Sequence, residues 1–238
     1  MARTLQPQLF FSLRSPYSWL AWSDLRARHG AELARLELTP FWEPDAAYTE
    51  QLGADGQYFL YAPMSREKHL YILADVKRLA GQRGYTIKWP LDPVVCRWEV
   101  AHLAYFVAQA AGKGAQYIDA VCQARWVEGR NIHLPETIAE IGEGLGLDGA
   151  ALAAAHLDPA LREAGLAALR SCIANGVFGV PYFALGRQRF WGLDRLPAFL
   201  DTLAAAQQGQ PTLTLAVPAA EAAAPPHQMV FDHAGGCG

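Results

Sequence analysis

The sequence contains no two cysteines at close spacing. Its four cysteines, Cys96, Cys122, Cys172 and Cys237, lie far apart, and none forms a Cys-x-x-Cys motif. Dithiol redox chemistry uses such a motif, and zinc knuckles use cysteines at similarly close spacing, so the sequence argues against both. Scattered single cysteines are typical of proteins in a reducing cytosol, and we therefore expect a cytoplasmic location.

A basic excess and a long apolar run are also missing. The 238 residues include 20 basic and 23 acidic side chains, which gives a formal net charge of -3. Nucleic acids and anionic membranes attract proteins with a positive excess, so we expect neither as a partner. No apolar run approaches the roughly 20 residues that a membrane helix needs. The N-terminal stretch MARTLQPQ also lacks the apolar core of a signal peptide.

The N-terminal part of the chain predicts a strand, a helix and a second strand. An apolar run at about 8–13 predicts a buried strand, apolar residues at helical spacing predict a helix at about 16–29, and period-two alternation predicts a strand at about 34–41. Two strands joined in this way run parallel, with a right-handed crossover. The segment 42–65 is expected to be irregular. Its aromatic residues either line a pocket for an aromatic substrate or hold the segment against the protein.

The first predicted helix begins at Ser15 and Pro16. Serine is a favoured N-cap, and proline is favoured at the first helical position. Unpaired N–H groups and the helix dipole make such a helix end a site for negative charge, and Ser15 adds a hydroxyl donor. An isolated Ser-Pro pair is more often a helix cap alone, so the interpretation of Ser15 depends on a second match downstream.

Most of the remaining chain has helical patterns. A helix is expected from about residue 65, and further helices, most of them rich in alanine as in a small bundle, are expected at about 95–111, 114–127, 135–145, 149–156 and 158–174. A hairpin of two short strands, 182–185 and 189–191, and a final amphipathic helix follow. The histidines show no catalytic spacing and are interpreted as surface or core residues, with His133 as a mild exception because it lies in a loop.

Two stretches of the chain resemble one protein family. The opening SPYSWLA at 15–21 is similar to that of 2-hydroxychromene-2-carboxylate isomerases and of their relatives, the kappa-class glutathione transferases. Near the other end, GVFGVP at 176–181 followed by FWGLDRL at 190–196 resembles the pattern of the same family. In thioredoxin-like oxidoreductases the first of these places carries Cys-x-x-Cys, whereas this chain has Ser15 and Ser18 there.

The resemblance covers about residues 8–205 and implies an α/β protein with a thioredoxin-like fold and a large helical insertion of the DsbA type. We expect the thioredoxin-like domain in residues 8–41 and 175–205 and the helical insertion in residues 65–174. The Ala/Pro-rich C-terminal tail, residues 207–238, lies outside the resemblance and is expected to be poorly ordered.

The resemblance also implies glutathione as a cofactor, together with the residues that bind it. Ser15 would be the catalytic residue, donating a hydrogen bond to the glutathione thiolate. The backbone of Val180, joined by a cis peptide bond to Pro181, would pair with the cysteinyl unit of glutathione. The backbone of Leu193 would hold the γ-glutamyl carboxylate, and Asp194 would accept hydrogen bonds from the γ-glutamyl ammonium group.

Three further residues are expected to contact an aromatic small-molecule substrate: Arg14, Tyr17 and Trp42. No metal site is expected. Two departures from the family pattern affect this part of the prediction. The segment PLDPVVCRWEV at 90–100 lacks an asparagine that the family carries, and Val127 replaces a glycine in a loop.

Three functions stay open at this point. The first is a glutathione-dependent isomerase that acts on a substrate of an aromatic pathway. The second is a transferase of the kappa-class type, which leaves glutathione attached to its product. The third is a non-catalytic, thioredoxin-like binding protein. The family resemblance further implies a homodimer.

Overall fold

A four-stranded mixed sheet lies at the centre of the computed structural model, which describes residues 6–61, 64–90 and 92–208. The strands are β1 (Pro7–Phe11), β2 (Glu37–Pro40), β3 (Tyr182–Leu185) and β4 (Gln188–Trp191), and their order across the sheet is β2-β1-β3-β4. Strand β1 runs parallel to β2 and antiparallel to β3, and β3 and β4 form an antiparallel hairpin. The predicted parallel pair and the predicted hairpin are therefore confirmed.

Helices surround this sheet, and most of them lie between β2 and β3 in the chain. They are α1 (Pro16–Arg28), α2 (Gly30–Leu33), α3 (Ala46–Ala54), α4 (Arg66–Gln82), α5 (Trp98–Ala110), α6 (Gly114–Cys122), α7 (Pro135–Gly144), α8 (Gly149–Ala154), α9 (Pro159–Ala174) and α10 (Leu196–Gln207). A π-helical turn, Gln123–Val127, extends α6, and a 3₁₀ turn, Leu193–Arg195, precedes α10. The helices predicted from the apolar spacing are confirmed, with bounds that differ by a few residues.

Strand β1 connects the two sides of the core. Its side chains alternate between the faces of the sheet, as successive residues of a strand do. Leu9 and Phe11 pack in the main apolar cluster with α1 and α5, whereas Phe10 packs on the other face with Cys172 and Tyr182. Complete burial of a side chain such as Phe10 contributes roughly 1.5–3 kcal/mol. The strand is therefore held from both sides, and its C-terminal end is fixed in position.

The segment after β2 departs from the sequence-based prediction. Irregular structure was expected throughout 42–65, but residues Ala46–Ala54 form α3. Asp45 is its N-cap and accepts a hydrogen bond from the Tyr48 backbone N–H at 2.9 Å. Tyr48 and Leu52, four residues apart on one helix face, are buried against the core. The aromatic and glycine content of the segment concealed this short stripe, so the prediction was wrong there.

The C-terminal part of the tail, 209–238, lies outside the described residues, and so does the prediction that it is poorly ordered. Within the described ranges, no helix combines the length and the apolarity that crossing a bilayer requires.

The N-cap of α3 gives a first testable prediction. Asp45→Ala removes the cap and should lower the free energy of unfolding by about 1–2 kcal/mol in urea denaturation. Asp45→Asn is the matched control, because its amide oxygen still caps the helix while the ion pair of Asp45 with Arg162 at 2.9 Å is lost. A partly exposed pair contributes at most about 1 kcal/mol. Equal destabilisation by both substitutions would contradict the capping role.

Candidate active site

The candidate site begins at the turn that joins β1 to α1. The strand was expected to reach about residue 13, but it ends at Phe11, and residues 12–15 form a turn. All four backbone N–H groups of this turn have partners: Ser12 N donates to Ser18 Oγ at 3.3 Å, Leu13 N to His102 Nε2 at 3.1 Å, Arg14 N to Ser12 Oγ at 3.2 Å, and Ser15 N to Ser12 O at 3.1 Å. The turn is therefore rigidly specified.

Ser15 caps α1 and also reaches the opposite side of the site. Its hydroxyl oxygen accepts a hydrogen bond from Ser18 N at 3.2 Å, as an N-cap does. The same hydroxyl donates to the carbonyl oxygen of Val180 at 3.3 Å. The structure thus brings together the start of the first helix and the loop before β3, which lie 165 residues apart in the chain.

The loop before β3 is shaped by its cis peptide bond and by close packing. The bond between Val180 and Pro181 is cis, as the resemblance implied. Pro181 O accepts a hydrogen bond from Gly192 N at 2.9 Å, which joins this loop to the end of β4. A Cβ atom on Gly179 would lie 2.6 Å from Nε1 of Trp191, so the loop requires glycine there. The backbone N–H of Val180 has no partner among the described residues.

Leu193 and Asp194 lie in the 3₁₀ turn that precedes α10. This turn packs against α1. The Asp194 side chain is 67% exposed, and its carboxylate lies 3.7 Å from the Arg195 guanidinium. The Asp194 carboxylate is therefore open to solvent.

Arg14 is held at the edge of the site by one carboxylate and two aromatic rings. Its guanidinium forms an ion pair with Glu43 at 2.6 Å. The same group lies 5.3 Å from the ring centroids of both Tyr61 and Trp98, within the range of cation–π attraction. About a third of the Arg14 side chain is exposed. The arrangement presents a positive charge between two aromatic surfaces.

Tyr17 and Trp42, the other two predicted substrate contacts, have structural partners. The Tyr17 hydroxyl donates to Asp75 Oδ2 at 2.8 Å, and burial together with this carboxylate raises the pKa of Tyr17. Trp42 is 1% exposed, and its indole N–H donates to Glu99 Oε1 at 3.2 Å. Trp42 belongs to the core because its ring is enclosed there, and we leave it out of the site. Trp42 therefore holds the segment 42–65 against the rest of the protein and does not line a substrate pocket.

His102 contacts the turn, although nothing in the sequence connects the two. It is fully buried on α5, and its Nδ1 lies 2.7 Å from the Trp98 carbonyl oxygen. A carbonyl oxygen only accepts hydrogen bonds and the Leu13 N–H only donates, so the ring carries its proton on Nδ1 and accepts at Nε2. Burial, with smaller effects of Arg125, His133 and Arg14, lowers the pKa of His102 to about 3. The imidazole is therefore neutral near pH 7.

His133, the other histidine of interest, belongs to a structural network. Its Nε2 lies 3.3 Å from Asp92 Oδ1, and Arg125 donates to both oxygens of the same carboxylate at 2.7 and 2.8 Å. Burial alone would raise the pKa of Asp92, but the hydrogen bonds from His133 and Arg125 hold it well below its usual range. Among the described residues no group of three or more histidine, cysteine or acidic side chains is arranged to hold a metal ion.

An open cleft of about 460 Å³ lies elsewhere, between α1 and α6. Trp19, Tyr85 and Asp119 are among its lining residues, and Ser15 is not. The Asp119 carboxylate already accepts hydrogen bonds from the Trp22 indole at 2.6 Å and from Arg26 at 3.0 Å. Because its charged group is occupied, we assign the chemistry to the turn at Ser15 rather than to this cleft.

Comparisons with known proteins place the chain among thioredoxin-like proteins. Residues 8–204 match the model of the family described as DSBA-like thioredoxin domain. The 2-hydroxychromene-2-carboxylate isomerase of Sphingobium xenophagum is 28% identical over 202 residues, which cover 82% of this chain and 95% of that protein. The protein of the same name from Pseudomonas putida is 29% identical over 126 residues, which cover 53% of this chain and 61% of that protein.

A solved structure of a selenomethionine 2-hydroxychromene-2-carboxylate isomerase shares the fold. It has a TM-score of 0.66 and 24% sequence identity, and the match covers 85% of this chain and 96% of that one. The family resemblance noted from the two motifs is therefore confirmed, and so is the predicted thioredoxin-like fold with a helical insertion.

The buried imidazole predicts how stability depends on pH. Between pH 6.5, where an ordinary histidine titrates, and about pH 3, the unfolded chain protonates His102 and the folded protein does not. The unfolded state binds more protons in this window, so the free energy of unfolding should fall as the pH falls, by up to about 1.4 kcal/mol per pH unit from this group. Urea denaturation of the wild type and of His102→Gln at several pH values measures this contribution of His102 to the free energy of unfolding. Parallel profiles for the two proteins would contradict the prediction.

Proposed function

The chain belongs to the DsbA-like thioredoxin domain family, and on that premise we propose that it is a glutathione-dependent isomerase of the 2-hydroxychromene-2-carboxylate isomerase type. The observation that carries the proposal is the 3.3 Å contact between Ser15 Oγ and Val180 O, which joins a helix N-terminus to a cis-proline loop. The isomerase relatives at 28% and 29% identity support the reaction class.

Disulfide exchange by the protein itself is not the proposed chemistry. The two positions of a redox pair hold Ser15 and Ser18, and a hydroxyl forms no disulfide. Ser18 is 4% exposed, and its hydroxyl accepts a hydrogen bond from the turn. A reactive sulfur at this place therefore has to come from a ligand, and glutathione is a ligand whose chemistry fits the surrounding groups.

The groups around Ser15 match the parts of glutathione. The backbone of Val180, whose N–H has no partner among the described residues, can pair with the cysteinyl unit as a short antiparallel strand. The backbone at Leu193, in the 3₁₀ turn that packs against α1, would hold the γ-glutamyl carboxylate. The exposed Asp194 supplies a carboxylate for the ammonium group.

When bound, glutathione supplies a thiolate that adds reversibly to a conjugated double bond and so permits rotation about it. Ser15 stabilises the charge by turning its hydroxyl from Val180 O toward the sulfur. The N-terminus of α1 contributes because its dipole and the Tyr17 N–H, which has no partner among the described residues, favour an anion. Similar sites lower a thiol pKa by one to several units from about 8.5. The protein thus increases the thiolate fraction near pH 7.

Arg14 and the rings beside it favour an aromatic substrate that carries a negative charge. The Arg14–Glu43 pair is partly exposed, and a pair of this kind contributes only about 0–1 kcal/mol. A substrate carboxylate can therefore replace Glu43 at little cost, while the partly exposed Tyr61 offers apolar surface for a ring and the buried Trp98 supports Arg14 from below. We propose that Arg14 orients the substrate by its acidic group.

The same bound thiolate would serve a kappa-class-like transferase, in which the sulfur stays attached to the product. The two activities differ in the fate of glutathione, which an isomerase regenerates and a transferase consumes. The two departures from the family pattern, the missing asparagine in 90–100 and Val127, favour a non-catalytic binding protein as a further alternative. A homodimer and a cytoplasmic location remain predictions from the resemblance and the cysteine spacing.

Calorimetric titration with glutathione tests the proposal. The wild-type protein should bind it saturably, and Asp194→Asn should weaken binding tenfold or more, because hydrogen bonds to charged groups contribute about 1.5–3 kcal/mol. Asp201→Asn, an exposed carboxylate on α10, is the matched control and should bind like the wild type. Absence of saturable binding by the wild type would remove both the isomerase and the transferase. Unchanged binding by Asp194→Asn would remove only the role of Asp194.

Substitution of Ser15 tests the catalytic assignment. Ser15→Ala should lower the turnover of 2-hydroxychromene-2-carboxylate on the order of 100-fold, as expected for loss of a donor to a developing anion, and should raise the pKa of the bound thiol. The free energy of unfolding should fall by only about 1 kcal/mol, from the lost cap. Ser23→Ala, whose hydroxyl donates to Trp19 O on the same helix, is the control. If Ser15→Ala turns over at the wild-type rate, Ser15 is a helix cap alone. Chromatography of the products distinguishes free glutathione from a thioether.

A further inference from the structure

The imidazole of His102 attaches the turn that carries Ser15 to helix α5. Leu13 N donates to His102 Nε2 at 3.1 Å, and Ser12 Oγ lies 3.3 Å from the same nitrogen. On the other side of the ring, Nδ1 donates to Trp98 O, one turn earlier in α5. His102 therefore connects the backbone of α5 to the backbone of the turn, 89 residues away in sequence.

His102 contacts Ser12 Oγ and Leu13 N, and the positions of these atoms determine where Arg14 and Ser15 lie. Ser12 Oγ, which contacts the imidazole, accepts the hydrogen bond from Arg14 N, and Ser12 O accepts the one from Ser15 N. Leu13 itself is completely buried. A displacement of the turn at residues 12–13 would therefore move the backbone of Arg14 and Ser15 together.

The surroundings of the ring keep it in the one state that can hold the turn. Trp42 stacks on it with ring centroids 5.4 Å apart, and the Trp98 ring meets it edge-on at 6.5 Å. The charged or titratable groups that act on it are Arg14 from the turn, Arg125 from the π-helical turn and His133 from the following loop. Each is cationic or able to become so, which disfavours a second proton on His102 and preserves the acceptor at Nε2.

We propose that His102 is a positioning residue, which holds the turn at 12–15 so that Ser15 Oγ and the Tyr17 N–H, the first N–H group of α1, converge on a bound thiolate. This role rests on the proposed function, because it concerns the glutathione that Ser15 would stabilise. His102 does not touch the thiol. It acts through Leu13 and Ser12, by fixing where the hydroxyl of Ser15 lies.

Two substitutions at position 102 separate its two hydrogen bonds. His102→Asn keeps a donor near the place of Nδ1 but is too short to accept from Leu13 N. His102→Gln carries its amide oxygen near the place of Nε2 and can still accept from the turn. The measurement is the ultraviolet absorbance of the thiolate in the complex of the full-length protein with glutathione, followed against pH, together with kcat and KM.

His102→Asn should raise the pKa of the bound thiol by about one unit, within the range over which such sites tune thiols. It should lower kcat on the order of 10- to 100-fold, as misplaced catalytic groups do, with a smaller change in KM for glutathione. His102→Gln should restore most of both values. A merely structural histidine would change stability without moving the pKa of the thiol.

Tyr117→Phe is the matched control for damage to α5. The Tyr117 hydroxyl donates to Ala101 O at 2.8 Å, next to His102 in the chain, and it does not contact the turn. This substitution should lower the melting temperature and leave the thiol pKa unchanged. If His102→Asn does not fold, Ser12→Ala takes its place, because it removes the second contact to Nε2 and the acceptor for Arg14 N. Ser12→Ala should also raise the thiol pKa.

The outcomes distinguish this role from the proposed function. If His102→Asn has the wild-type turnover and thiol pKa, the role of His102 is overturned. The same result in Ser12→Ala overturns it when that variant replaces His102→Asn. In both cases the proposed function stands as long as the wild-type protein binds glutathione. An equal shift in Tyr117→Phe also overturns it, since any disturbance of α5 would then act on the thiol. Failure of the wild-type protein to bind glutathione overturns the proposed function itself, and the role of His102 with it.

Discussion

The site depends on the hydrogen bonds that fix the backbone between β1 and α1. A turn of this kind exposes several N–H groups at once, and an unpaired buried N–H costs about 1–3 kcal/mol. Each N–H from Ser12 to Ser15 has its own acceptor, and the acceptors come from the turn itself, from Ser18 and from His102. The start of α1 is therefore placed by interactions with both local and distant parts of the chain, and the position of Ser15 follows.

The second constraint is the loop that faces this helix. Trp191 fills the space above Gly179, and Gly192 N holds Pro181 O, so the end of the hairpin and the cis-proline loop form one unit. The sheet register then sets the distance between this unit and α1, because β1 pairs directly with β3. The last residue pair between the two strands is Phe10 with Tyr182. Beyond this pair, β1 leads into the turn at 12–15, and the cis-proline loop leads into β3. The register of the sheet therefore also determines the geometry of the site.

Sequence reasoning succeeded where the signal is local. The cap at Ser15, the proline at the start of α1, the hairpin and the glycine-bounded helices are all short-range features, and the structure contains them. The two motifs that carry the family resemblance lie at the ends of the chain, and their contact through Ser15 and Val180 follows from the fold that the family implies.

The parts that sequence reasoning missed depend on contacts between distant residues. Helix α3 has one strong cap signal at Asp45 but only two core residues, Tyr48 and Leu52, and its neighbours suggested a loop. Trp42 was expected to contact the substrate, but the fold encloses its ring against His102. Nothing near His102 in the sequence indicates its bond to Leu13, since the only local signal is the apolar face of α5.

The hydrogen bond from Ser15 to Val180 O has a consequence for the release of ligands. The hydroxyl already donates to a carbonyl oxygen, so a ligand that takes this hydrogen bond has to be a stronger acceptor than a neutral amide. An anionic sulfur meets this requirement, because hydrogen bonds to charged groups are roughly twice as strong as those between neutral groups. A sulfur that has become neutral through a bond to carbon does not, and the hydroxyl then returns to the carbonyl. Under the proposed function, Ser15 would therefore bind the ionised sulfur and release the neutral one.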